Sequence, residues 1–290
     1  LKKEAAMKVG LSSYSLIQAI NAKEMDLPGA VAWIKENGGE HVEIAYDIFD
    51  QPQMAETLKK KAKDVGIDIS SYTIGAGFLQ ANKEDFEKEV ARVKKQVDIA
   101  AAMGVKLMRH DAASRPPNEC VIEQFDKDLP QIVDGCGKVA DYAKQFGITT
   151  SVENHGYFMQ ASDRIRLLVK KVNRENFRTT LDAGNFMCVD EDPIAATKNN
   201  ISIASHVHFK DFYFRPAHAN PGEGWFPTLH GNFLRGSIVG QGDIDIRTVL
   251  KIIKDSGYNG CLSIEFEGLE ECKMGSRAGM AFVKKALAEI

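Results

Sequence analysis

Four short segments in the second half of the chain each end in a side chain that can hold a metal ion or move a proton. They are Ser-Val-Glu153-Asn-His155, Thr-Leu-Asp182-Ala-Gly-Asn185, His206-Val-His208-Phe-Lys210-Asp211 and Leu-Ser-Ile-Glu265. Two Glu, one Asp and one His brought together would make a mixed oxygen–nitrogen site for a divalent cation. Such a cation would polarise a carbonyl chelated to it as a Lewis acid and make the neighbouring C–H acidic. Glu153 and Glu265 lie on strands that are not neighbours, so one could take the proton from one face and the other return it. That gives epimerisation, and return to the adjacent carbon gives isomerisation. Elimination or hydration beside a carbonyl begins with the same proton abstraction.

The elements that must position these side chains can be read around them. Each candidate ligand closes an apolar or β-branched run, as in a parallel βα barrel that delivers side chains to one rim from different strands. Eight strand-like runs are predicted: Met7–Ser13, His41–Tyr46, Ile67–Ile74, Val105–His110, Ile148–Glu153, Arg178–Asp182, Ile203–His208 and Gly260–Glu265. Helical stretches fall between them, at Pro28–Asn37, Gln53–Val65, Asp85–Met103, Leu129–Phe146 and Leu250–Ser256. Four of these stop at Gly66, Gly104, Gly147 and Gly257, natural residues for a helix C-terminus. Phe86, Val90, Val93, Val97 and Ala101 recur at the three- and four-residue steps of one helix face. Eight strands alternating with helices predict an α/β (β/α)8 TIM barrel occupying residues 1–290 as one domain. One connection departs from the rhythm. Phe212 to Asp245, between strands seven and eight, is a long loop rich in Gly, Pro and aromatics, suited to a lid or pocket wall.

Bulk properties narrow the function classes. The 290 residues are 44% hydrophobic and 27% charged, values of an ordinary globular protein. A net charge of −3 argues against a nucleic-acid partner. No apolar run reaches the ~20 residues of a membrane-spanning helix. The five cysteines show no CxxC spacing and imply no disulfide framework. Leu58-Lys-Lys-Lys-Ala-Lys reads as a solvated helix face, and Trp33 as helix packing. The opening Leu-Lys-Lys-Glu leaves the compartment between the cytoplasm and, if a signal peptide was removed, the periplasm.

As a set, Glu153-Asn-His, Leu-Asp182-Ala-Gly-Asn, His-Val-His208-Phe-Lys-Asp, Val-Gly240-Gln-Gly242-Asp-Ile-Asp and Leu-Ser-Ile-Glu265 resemble the sugar phosphate isomerase/epimerase family. These are xylose isomerase-like TIM barrels of the AP endonuclease 2 superfamily. The resemblance implies that Glu153, Asp182, His208 and Glu265 ligate a divalent metal (Mn²⁺, Mg²⁺, Co²⁺ or Zn²⁺) and that Glu153 and Glu265 are catalytic. It implies a carbohydrate substrate and a metal-dependent isomerase or epimerase working through an enediolate. It also leaves a homodimer open. A lyase or hydratase on 3-keto-sugars or glycosides is the alternative, ahead of an endonuclease IV-like phosphodiesterase or a non-catalytic sugar binder. The nucleases carry a His three residues after the strand-six Asp, where this chain has Asn185.

Further residues are expected around this set. His206 shares a strand face with His208 and could be a supporting group or the ligand itself; the resemblance favours His208. His110 closes strand four and is expected to face the pocket. His155 and Asn185 follow ligands closely and could orient them or meet substrate. Lys210 could meet a substrate oxygen or pair with a carboxylate, and Glu43 could point into the barrel near substrate. Trp225 and Phe226 could stack on a sugar or pack a lid, and Arg215 could bind phosphate or lie on the surface. The acidic run Glu265-Phe-Glu267-Gly-Leu-Glu-Glu271 would repel phosphate, which favours an unphosphorylated sugar or glycoside.

Overall fold

Alternation within the strands decides where the core lies. The computed structural model describes residues 7–290, so the opening Leu-Lys-Lys-Glu falls outside it. The parallel strands are β1 (Lys8–Ser12), β2 (His41–Ala45), β3 (Asp68–Ile74), β4 (Leu107–His110), β5 (Thr149–Glu153), β6 (Phe177–Asp182) and β7 (Ala204–Phe209). After three short strands, β8 (Asp211–Arg215), β9 (Phe226–Pro227) and β10 (Phe233–Ser237), the barrel is completed by β11 (Cys261–Ile264). The closed order is β1-β11-β7-β6-β5-β4-β3-β2, a (β/α)8 barrel as predicted. One alternate set of residues, including Val42, Ile44, Val207, Phe209, Leu262 and Ile264, is apolar and buried under the helices. The other set, including Glu43, Ser71, Ser151, Thr180, His206 and His208, is polar and fills the barrel's interior. The barrel is thus built around its future site rather than around an apolar plug.

Helices cover the ring because their sequences start and stop cleanly. Lys83–Met103 begins where the Asn82 side chain accepts from the Asp85 N–H at 2.9 Å, and ends on left-handed Gly104. Leu27–Glu36 carries Trp33 half-buried against the core. In Met54–Val65, Leu58 and Ala62 are buried and Lys59, Lys60 and Lys63 exposed, so the lysine run is a solvated face. The fourth long helix, Ile122–Ala143, starts earlier than its periodicity suggests and carries Pro130 within it. All five cysteines are free thiols. Among the described residues, no helix is long and apolar enough to cross a membrane.

The long connection after β7 is more ordered than a loop. β8, β10 and β9 form a three-stranded antiparallel ribbon. Its stem is closed by Asp211, whose carboxylate accepts from the N–H groups of Phe212, Gly240, Gly242 and Ile244 at 2.8, 2.8, 3.0 and 3.3 Å. A Cβ at Gly242 would collide with that carboxylate, so the Gly240-Gln-Gly242 run keeps the stem shut. The ribbon leans on the loops after β5 and β6, with the Tyr157 hydroxyl donating to the Pro227 carbonyl at 2.9 Å and the Leu229 N–H to the Cys188 carbonyl at 2.8 Å.

Candidate metal and active site

Glu153, Asp182, His208 and Glu265 stand at or just beyond the ends of β5, β6, β7 and β11, and each is buried. One ligand atom from each lies within 4.8 Å of those from the other three. The neighbours of each carboxylate explain its orientation. Glu153 Oε1 accepts from Asn185 Nδ2 at 3.0 Å, and Oε2 accepts from Arg109 Nε at 2.6 Å with the Arg109 Nη2 also against it. Asp182 Oδ1 accepts from the N–H groups of Gly184 and Asn185 at 2.7 and 2.9 Å. That turn needs Gly184, since a Cβ there would lie 2.6 Å from the Lys210 carbonyl oxygen. Asn154 locks β5 to β6 by exchanging two 2.8 Å hydrogen bonds with the Asp182 backbone.

His208 is held from behind. Its Nδ1 faces Glu153 Oε1 at 3.3 Å and Glu265 Oε1 at 3.8 Å, while Nε2 lies 2.7 Å from Glu43 Oε2. A metal-binding imidazole commonly gives its second nitrogen to a carboxylate, which fixes the ring and raises its basicity. His206 lies one layer deeper, edge-on to His208 with centroids 5.4 Å apart and Nε2 2.8 Å from Ser263 Oγ. Glu43 is also in this deeper layer, fully buried and accepting from Thr73 Oγ1 at 2.7 Å, so it faces His208 and not the cavity.

The electrostatics are those of a crowded acidic site. Burial would push the Glu153 carboxyl up, but Arg109 and His208 outweigh it and hold it well below the usual range. Burial, with Glu153 and Glu265 beside it, raises Asp182 to about 7 against the pull of Lys210. Burial opposes a charged His208, yet Glu43, Glu265 and Glu153 raise it well above an ordinary histidine.

The donor set fits a divalent cation. Three carboxylates and one imidazole suit a mostly hard ion and leave positions for substrate oxygens. Asp182 Oδ2 is buried without a hydrogen-bond partner, a costly state that a cation would relieve.

Above the four residues opens a cavity of about 260 Å³, bordered by Tyr14, Tyr46, Asp47, Arg109, His155 and Glu267 as well as by Glu153, Glu265 and Lys210. Lys210 is buried, 3.0 Å from Glu265 Oε2 and 3.3 Å from Glu267 Oε2, and donates to Asn185 Oδ1 at 3.3 Å. It therefore combines a carboxylate pair with a place on the cavity wall. His155 sits half-exposed at the rim, its Nδ1 3.1 Å from Asp111 Oδ1. Asn185 touches Glu153 and Lys210 rather than the cavity.

Two expectations meet a different geometry. His110 faces outward from β4, fully buried between Phe78 and Phe177 with ring centroids at 5.7 and 6.3 Å. Its neighbour Arg109 takes the inward position, because a strand sends successive side chains to opposite faces. Trp225 lies in the ribbon between the Arg215 and Arg235 guanidiniums, at 5.3 and 5.6 Å, and does not border the cavity. Phe226 packs on Phe212 at 5.7 Å, and Arg215 is exposed near Asp243. Sequence reasoning missed Arg109, Asn154, Tyr14 and Tyr46, and named Glu267 only as part of an acidic run. A buried Arg at the end of an interior strand, level with an acidic neighbour, is the signal that could have found the first.

A family model described as xylose isomerase-like TIM barrel matches residues 31–286, and the chain belongs to that family. An inosose dehydratase of Clostridium perfringens (strain 13 / Type A) is 22% identical over 231 residues, covering 74% of this chain and 75% of its own. An inosose dehydratase of Lactiplantibacillus plantarum is 25% identical over 205 residues, covering 69% of this chain and 67% of its own. Among solved structures, a probable 3-DHS dehydratase from Bacillus anthracis superposes with a TM-score of 0.75 at 17% identity, over 96% of this chain and 99% of its own. A D-psicose 3-epimerase from Clostridium cellulolyticum H10, solved with D-tagatose, gives a TM-score of 0.75 at 16% identity, over 97% and 99%. At those identities the structural likeness establishes the fold.

Proposed function

We propose that this chain is a divalent-cation-dependent enzyme that removes the proton beside the carbonyl of a keto-sugar or keto-polyol and returns one, isomerising or epimerising it. The observation that supports this reading is the meeting of two glutamates from non-adjacent strands, with Asp182 and His208, beneath one cavity. A cation held by Glu153, Asp182, His208 and Glu265 would supply Lewis-acid polarisation of the substrate carbonyl.

The protein's own groups carry the rest. Glu265, whose Oε2 lies 3.0 Å from the buried Lys210 ammonium, could exchange a proton with the substrate from one side of the ring. Glu153, fixed by Arg109 and Asn185 and held ionised, could take the proton from another side of the ring, with a protonated Glu265 delivering the replacement. Lys210 can donate to a substrate oxygen on which charge develops. Glu267 and Glu265 beside it disfavour a phosphate there, in keeping with an unphosphorylated substrate.

A second reading is dehydration, in which Lys210 protonates a leaving hydroxyl after the same abstraction. The names of the curated relatives favour it. One experiment separates the readings: metal-stripped and Mn²⁺-reloaded protein is given free ketoses, 3-keto-sugars and keto-polyols in D₂O and followed by proton NMR. Metal-dependent deuterium at one carbon with retained composition supports isomerisation or epimerisation, whereas an unsaturated product supports dehydration. No exchange with any of them by the loaded protein overturns both.

A further inference from the structure

We propose that a second, largely apolar compartment, which adjoins the active-site cavity at Tyr46 and Asp47, receives the aglycone of a glycoside, so that the preferred substrate is a keto-glycoside rather than a free keto-sugar. The inference rests on the proton-transfer reading for the sugar ring. The second cavity, of about 320 Å³, is bordered by Ile20, Met25, Leu27, Ile48 and Met54, with Lys23, Asp26 and Gln51 completing its edge. Tyr46 and Asp47 border both cavities. They follow β2 directly, at the barrel end that carries the ligand residues.

The shared wall is built from the core outward. Asp47 Oδ1 accepts from the Phe49 N–H at 2.8 Å and from Gln96 Nε2 at 2.7 Å. Gln96 is fully buried, and its Oε1 accepts from the Tyr72 hydroxyl at 2.7 Å. This network fixes Asp47 and thereby the position of Tyr46, a residue 39% exposed. An aromatic face in that state suits the C–H face of a ring, aromatic or sugar.

The two compartments differ in chemistry. The first presents Arg109, Lys210, Glu265 and Glu267, which match hydroxyl and carbonyl groups. The second presents thioethers and branched aliphatics. Asp26 and Asp47 outnumber Lys23 around it, so an anionic group such as phosphate is a poor occupant. Ligand sites usually enclose about 300–1,000 Å³, a range that the first cavity reaches only together with the second.

The test uses methyl and phenyl 3-keto-β-D-glucopyranoside as probes on the Mn²⁺-loaded protein. It reads kcat/KM for deuterium exchange beside the carbonyl and Kd by calorimetry. The phenyl probe is expected to be favoured by about tenfold or more, mostly through KM and Kd. Gln51→Trp fills the second cavity from an exposed position outside the first, and Tyr46→Ala removes the shared ring. Each should bring the ratio to parity, with melting curves showing that both variants fold. Parity in the unaltered protein, or an undiminished preference in Gln51→Trp, overturns the aglycone compartment while exchange itself still stands. If neither probe nor any free keto-sugar exchanges, the ring chemistry falls, and the calorimetric ratio alone decides the compartment.

Discussion

The two sides of the barrel mouth hold the same residue type in unlike surroundings. On the β4–β6 side, Glu153 is clamped by Arg109, Asn185 and His208. On the β7–β11 side, Glu265 meets Lys210, which it shares with Glu267 and, at 3.8 Å, Asp182. A planar guanidinium fork fixes its carboxylate in one orientation, whereas an ammonium on a four-carbon stem can follow a moving charge. The difference teaches that equivalent strand-end glutamates need not be equivalent acids and bases. Glu153 is held by a fork, and Glu265 by a single ammonium that it shares with two other carboxylates.

The largest effect should come from the loose side. Glu265→Gln keeps size but removes a base, and deuterium exchange should fall by roughly 10²–10⁴-fold. Glu153→Gln should be comparably impaired; full activity there would end the two-glutamate account. Next comes the support between the sides. Glu43→Gln leaves His208 without its rear carboxylate, and Mn²⁺ affinity by calorimetry should weaken about 10–100-fold. In the unaltered protein, free Mn²⁺ at 100 times Kd should add about 2.7 kcal/mol of stability, removed by a chelator.

A smaller effect is expected at the clamp. Arg109→Lys keeps the charge but loses the fork, and kcat should drop about tenfold, or ~1.4 kcal/mol, with Mn²⁺ affinity retained. Equal loss of both would make Arg109 a structural strut rather than a device for aiming Glu153. The smallest effect lies outside the mouth. Burial lowers His110 to about 4 from an ordinary 6.5, with Arg109 adding to it. The unfolded chain therefore binds the extra proton between those values, so stability is full above pH 6.5 and declines toward pH 4. The limiting slope is about 1.4 kcal/mol per pH unit for one group. His110→Phe should flatten the fall in melting temperature between pH 7 and 5.

The convergence of the four candidate ligands was legible because each lies at or beside a strand end whose apolar residues face the helices, so composition and position agree at Glu153, Asp182, His208 and Glu265. Barrel closure was legible for the same reason, from eight runs separated by helices ending in Gly. What escaped depends on phase and on distant partners. At Arg109 and His110 the strand is only four residues long, too short for alternation to show which of two polar neighbours turns inward. Glu43 was expected inside the barrel near substrate; it lies inside but behind His208, because its depth depends on the stagger between strands, and β2 has a register shift beside it. Trp225 was out of reach because ribbon pairing, which sets it between two arginines, leaves no local periodicity.

The Asp211 stem has a consequence for how this protein can change. One carboxylate ties both ends of the 212–244 segment together, and what lies between them meets the rest of the chain at rim loops, through Tyr157 and Cys188 among others. The segment is a cassette tied at its stem: where it makes no such rim contact, its length and sequence can drift with least effect on the stagger of β7 and β11. The four candidate cation ligands all lie outside it. Lineages descended from such a chain can therefore acquire new rims around an inherited reaction centre, and diversification of what is recognised can outpace change in what is done to it.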